Sequence, residues 1–184
     1  MRIFFLEDNP HVYVQLVKYL EECGHTVDHS DRLRSAVWKL ESDPKADSYD
    51  LFLFDAGMKP EQVRCFDTSK DKDIYNEPNG FNGLLFLLRN MDLLGNRDDA
   101  IAIVTAYTKQ IRETKSIDVF GKTFTLQSND AMGETIADGA AADNEGLSKI
   151  RYMCEETGAT YTFALMSKSG DNIIPQMGKF INRV

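Results

Sequence analysis

Short apolar runs in this chain end on residues that could do chemistry. Glu7 and Asp8 follow RIFFL, Asp55 follows LFLF, Thr105 follows AIAIV, and Lys168 follows YTFALMS. In an open parallel α/β sheet, ligands collect beyond the carboxyl ends of the strands, so residues far apart in sequence would meet at one place. Carboxylates crowded together repel unless a cation neutralises them. An all-oxygen ligand set suits Mg2+. A hydroxyl and an ammonium beside such a metal suit a phosphoryl group, and the combination reads as a place to hold phosphate on a carboxylate.

Each residue also has an ordinary structural use. Glu7-Asp8 could close a strand and cap a helix. Asp55 could begin a turn, Thr105 could be a satisfied loop hydroxyl, and Lys168 a solvated charge. Only their joint placement favours chemistry. His25 and His29 lack a third ligand and read as packed or exposed histidines, and His11, in the first helical turn near the proposed site, reads as solvent-facing. Trp38 and the Phe-rich strands read as core. No Gly-Lys-Ser/Thr closes a strand-to-helix turn, so there is no P-loop.

The elements that would position these residues alternate. RIFFL is an unbroken buried strand. Asn9-Pro10 caps and opens a helix that Gly24 ends. His25–His29 is a short strand, and Asp31 caps a helix with Leu33, Ala36, Val37 and Leu40 on its apolar face. Tyr49–Phe54 is a strand, Gly80 to Met91 a helix and Ala100–Val104 a strand. Glu145 to Glu156 reads as a helix stopped by Gly158, Tyr161–Met166 as a strand, and Asn172–Asn182 as a closing helix. This order predicts a doubly wound α/β fold: a five-stranded parallel sheet with helices on both faces.

Two stretches break the rhythm. Residues 61–79 are polar and end in Pro, and read as an inserted loop. Within 107–143, IDVF-GK-TFTL reads as an inserted β-hairpin with Gly121-Lys122 at the turn. The small and acidic residues of 129–144 read as a mobile segment.

The chain has 184 residues, which suits a single domain over 1–184. Its formal net charge of -8 argues against nucleic-acid binding by phosphate neutralisation. Cys23, Cys65 and Cys154 have no paired spacing, which argues against a disulfide framework or zinc site. The opening run reads as a strand, not a signal peptide, and no apolar run reaches bilayer-spanning length. A cytoplasmic location without membrane attachment is expected.

The run RIFFLEDNPHVYVQLVKYLEECGHTV resembles the opening of response regulator receiver domains of two-component signalling. DLFLFDAGMKP is similar to their phosphoacceptor strand, GFNGLLFLLR to the start of the following helix, IAIVTA to the strand ending in a hydroxyl residue and Ala, and GATYTFALMSKS to the strand carrying their Lys. The resemblance covers nearly the whole chain outside the two insertions. It implies the CheY-like strand order 2-1-3-4-5, with Asp55 as phosphoacceptor. It further implies Mg2+ on Glu7, Asp8, Asp55 and the Gly57 backbone carbonyl, and phosphoryl contacts from Thr105 and Lys168. The donor would be a histidine kinase or phosphotransfer protein, and signalling would pass by conformational change to a downstream protein.

The chain departs from the family pattern in places. Lys59 separates Met58 from Pro60, Ser169 replaces the Pro that usually follows the Lys, and Leu165 occupies the switch-aromatic position, with Phe163 one strand step back. Two further readings therefore stay open. One is a degenerate receiver acting as an interaction module without phosphoryl transfer. The other is a Mg2+-dependent phosphohydrolase working through an aspartyl phosphate, although Gly57 stands where its general acid would be.

Overall fold

Apolar residues at every position of a strand require cover on both faces, and the sheet supplies it. In this computed structural model RIFFL forms β1 (Arg2–Leu6), LFLFD forms β3 (Leu51–Asp55) and IAIVT forms β6 (Ile101–Thr105). Residues 1–42, 49–63, 73–75, 81–91, 94, 100–119, 121–127, 148–168 and 173–183 are described. Between these strands lie α1 (Pro10–Glu22), β2 (Thr26–Ser30) and α2 (Leu33–Ser42). The short β4 (Glu61–Val63) and β5 (Asp73–Tyr75) precede α3 (Asn82–Arg89), and β6 leads into α4 (Thr108–Glu113). The chain continues through β7 (Ser116–Val119), β8 (Lys122–Leu126), β9 (Ser148–Cys154), β10 (Thr160–Ser167) and α5 (Ile173–Ile181).

The 8-stranded sheet runs β2-β1-β3-β6-β10-β9-β8-β7. From β2 to β10 every pairing is parallel, which is the expected doubly wound unit in the expected order. Its two faces hold separate cores. Ile3, Phe5, Leu53, Ala102 and Met166 pack under α1 and α5, while Phe4, Phe54, Ile103 and Phe163 pack under α2, α3 and α4. Asn9 caps α1 by accepting from the His11 backbone N–H at 3.0 Å, with Pro10 opening the helix, as its sequence predicts.

Beyond β10 the sheet turns antiparallel. β9 pairs with β10, β8 with β9 and β7 with β8, so the hairpin that reads as an insertion is part of the main sheet. The expected helix over Glu145 to Glu156 is corrected here: its described part is the strand β9. Leu147, Ile150 and Cys154 suit a helical stripe, but Ile150, Tyr152 and Cys154 also alternate, and those are the side chains buried against the core. Pairing on both sides of β9 decides between the two periods.

Three further expectations change. Residues 61–79 include a two-stranded sheet, β4 with β5. The segment after Thr105 begins with the short α4. Trp38 is 65% exposed on the outer side of α2, not core. Cys65, Ser169 and 129–144 lie outside the described residues. Among the described residues no helix is long and apolar enough to cross a membrane.

Candidate functional site

Register brings the sequence-predicted residues to one edge. Leu6 pairs with Phe54 and Asp55 with Val104, so the ends of β1, β3 and β6 lie level. Ser167 pairs with Thr105, and the Lys168 backbone N–H donates to the Thr105 carbonyl at 2.9 Å. Lys168 thereby enters the site from the end of β10.

The Lys168 ammonium lies between two buried carboxylates. It is 2.6 Å from Asp55 Oδ2, donates to Glu7 Oε1 at 2.9 Å, and sits 2.7 Å from Glu7 Oε2. That last approach is an ion pair without hydrogen-bond geometry, so Glu7 Oε2 is buried against the ammonium with no hydrogen-bond partner among the described residues. The other carboxylate contacts are local: the Asn9 backbone N–H donates to Glu7 Oε1 at 3.0 Å, and the Gly57 N–H to Asp55 Oδ1 at 2.8 Å. Glu7, Asp8 and Asp55 each offer an oxygen within 4.8 Å of the others.

Charge is in deficit at this place. Burial, and then the Asp55 charge, push the Glu7 carboxyl up to about 7, against the lowering pull of Lys168. Three carboxylates within reach of one another, with a single interior ammonium beside them among the described residues, fit a hard divalent cation on oxygen ligands. Glu7, Asp8 and Asp55 would hold it, together with the backbone carbonyl of Gly57, whose peptide is fixed beside Asp55 by its own N–H.

Thr105 is fully buried at the end of β6, and its Oγ1 accepts from the Tyr107 backbone N–H at 3.0 Å. That bond takes a lone pair and leaves the hydroxyl proton free to be donated. Tyr107, 41% exposed, packs edge-on to Phe81. Its ring also covers Gly57 so closely that a Cβ there would lie 2.9 Å from Tyr107 Cε2. Leu165 and Phe163 are both buried in the α2–α3 core, so the aromatic one step back is fixed packing.

Sequence reasoning missed the brace beneath the site. Asn82 Nδ2 donates to the Met58 carbonyl at 2.9 Å and the Gly83 N–H to the Ala56 carbonyl at 3.0 Å. A Cβ on Gly83 would stand 1.8 Å from the Asp55 carbonyl oxygen. The first turn of α3 is thus pressed onto the loop that carries Asp55 and Gly57. The available signal was a glycine inside a helix, which is costly unless another backbone needs the space. His29 is packed, one of the two uses its sequence allows: it stacks on Tyr13 with ring centroids 4.0 Å apart, and its Nε2 lies 2.8 Å from the Glu7 carbonyl.

No protein-family profile and no curated protein matches the sequence. Solved structures do. The receiver domain of the PhyR response regulator from Erythrobacter litoralis is similar over 99% of this chain and 87% of its own, at 14% identity and a TM-score of 0.48. The response regulator TrrA from Thermotoga maritima, solved in complex with Mg2+-BeF, is similar over 61% of this chain and 76% of its own, at 21% identity and a TM-score of 0.38.

Proposed function

We propose that the chain forms a receiver, one domain over 1–184, that accepts a phosphoryl group on Asp55 in a Mg2+-dependent reaction. The observation that carries this reading is that Glu7, Asp8 and Asp55 bring oxygens within 4.8 Å of one another while the Lys168 ammonium is shared between two of them, Glu7 and Asp55. A merely structural buried ion pair would be expected to match one cation to one carboxylate.

The chemistry follows from the groups present. An Asp55 carboxylate oxygen attacks phosphorus of a phosphohistidine donor. The new O–P bond forms as the P–N bond breaks, and its electron pair leaves on the imidazole nitrogen. Bound Mg2+ would neutralise charge and polarise a phosphoryl oxygen. Thr105 donates its free hydroxyl proton to a phosphoryl oxygen, and Lys168 pairs with the charge that Asp55 acquires. Because the Lys168 N–H is bonded to the Thr105 carbonyl, both partners of the phosphoryl group move as one piece of β6 and β10.

This linkage supports signalling by a shift between two arrangements of the strand ends. The donor would be a histidine kinase or phosphotransfer protein in the cytoplasm, and the recipient a downstream protein. Acetyl phosphate with Mg2+ should add a single phosphoryl group to the intact mass of the wild-type protein and none to Asp55→Asn. An adduct of the same size on Asp55→Asn would move the nucleophile elsewhere.

A further inference from the structure

We propose that Lys59 sets the metal affinity of this site, as an internal counter-ion of Asp8 that a divalent cation must displace. This rests on the receiver reading above and concerns the residue that interrupts Met58 and Pro60. The carboxylates divide their cations unequally. Lys168 serves Glu7 and Asp55, whereas Asp8 is held from outside: Lys59 Nζ lies 3.8 Å from Asp8 Oδ2, and the Lys59 backbone N–H donates to the same oxygen at 3.3 Å.

The two contacts differ in permanence. The backbone N–H is fixed by the loop after β3, which the first turn of α3 braces, so it keeps Asp8 aimed wherever the side chain points. The ammonium is 82% exposed and at the outer limit of ion-pair range. No second partner holds it among the described residues. It borders a cleft of about 300 Å³ lined by Asp8, Asp31, Arg32, Met58, Pro60 and Glu61, which gives it somewhere to go.

Asp8 is also the most exposed carboxylate of the cluster, with a side chain 14% exposed against 0% for Glu7 and 4% for Asp55. It is the ligand that an incoming hydrated cation meets first. A cation arriving at Asp8 therefore competes with a charge already there, and the competition weakens as salt screens the exposed ammonium.

The test uses Mn2+ as the probe, followed by its electron paramagnetic resonance signal in the 184-residue chain. Wild type, Lys59→Met, Lys59→Arg and Asp8→Ala are titrated at low and high ionic strength. Lys59→Met keeps the side-chain length and should bind Mn2+ about two- to five-fold tighter at low salt, the range of an exposed ion pair. Lys59→Arg should match wild type, Asp8→Ala should bind more weakly, and the Lys59→Met gain should shrink at high salt. Equal or weaker binding by Lys59→Met, or a gain indifferent to salt, overturns the role of Lys59 while leaving the receiver reading intact. No Mn2+ binding by any variant overturns both.

Discussion

Strands β3 and β6 bury every side chain and end in Asp55 and Thr105, whereas β7 alternates exposed and buried residues along its length. The extension made by β7, β8 and β9 sends Ile117, Val119, Phe124, Ile150 and Tyr152 into the α2–α3 core. Its opposite face carries hydroxyls and charges that bond to one another: Thr123 Oγ1 donates to Asp118 at 2.9 Å, and Arg151 Nε to Thr162 Oγ1 at 2.9 Å. The polar groups on that face are half-buried or exposed and cheaper to change. Those at the ends of the parallel strands are dry, few and mutually dependent. One sheet thus holds a region built for tolerance and a region poised around charge.

The largest contrast should come from removing a cation in each region. Lys168→Met leaves Glu7 and Asp55 buried without their ammonium and should cost about 3–5 kcal/mol at pH 8. Arg151→Met should cost about 1 kcal/mol, the worth of one half-buried hydrogen bond. Urea unfolding measures both, and similar losses would erase the distinction.

Two glycines separate the regions next. Gly83→Ala forces a Cβ into the Asp55 carbonyl and should cost about 3 kcal/mol, the upper range of overpacking, together with Mn2+ affinity. Gly121, at φ +83° in the hairpin turn, has nothing within 4 Å of an added Cβ. Gly121→Ala should therefore cost only its left-handed backbone, about 1 kcal/mol, and leave metal binding unchanged.

The pH dependence sharpens the comparison further. Glu7 is raised from 4.5 to about 7 in the folded protein, so over that interval the folded state holds a proton that the unfolded chain has released. Stability in metal-free buffer should then fall as pH rises from about 4.5 through about 7, by about 3 kcal/mol at most, and Glu7→Gln should flatten the slope. In the extension, Glu156 is shifted the opposite way, chiefly by the Thr123 backbone N–H, and is solvent-exposed. Its contribution is lost only as pH falls, so Glu156→Gln should leave the neutral slope alone.

The smallest effect is kinetic. Tyr107 covers Gly57 beside Asp55, the proposed phosphoacceptor, and Tyr107→Ala should admit water and shorten the lifetime of phosphorylated protein several-fold after donor removal. A lifetime no shorter than wild type would leave the ring as packing alone.

The same difference decides what the sequence discloses. β1, β3 and β6 are legible because burial on both faces demands unbroken apolar runs, and the chemical residues stand where those runs stop. β9 misleads because SKIRYMC, one face wet, carries both a period of two and a helical stripe. Only its pairing with β8 and β10 settles the period, and pairing is not local. Trp38 misleads for a related reason: its size suggests core, but Leu33, Ala36 and Val37 already fill the inner side of α2. Gly83 and Lys59 act through contacts with Asp55 and Asp8 that no local pattern announces.

An acyl phosphate on Asp55 has a chemical signature that phosphoesters of Ser, Thr and Tyr do not share. Borohydride reduces an aspartyl phosphate to homoserine, and peptide mass mapping then locates the reduced residue. After treatment with acetyl phosphate and Mg2+, the account predicts reduction at Asp55 alone, absent when Mg2+ is withheld. Reduction at another carboxylate, or a phosphoryl adduct that resists borohydride, would contradict it.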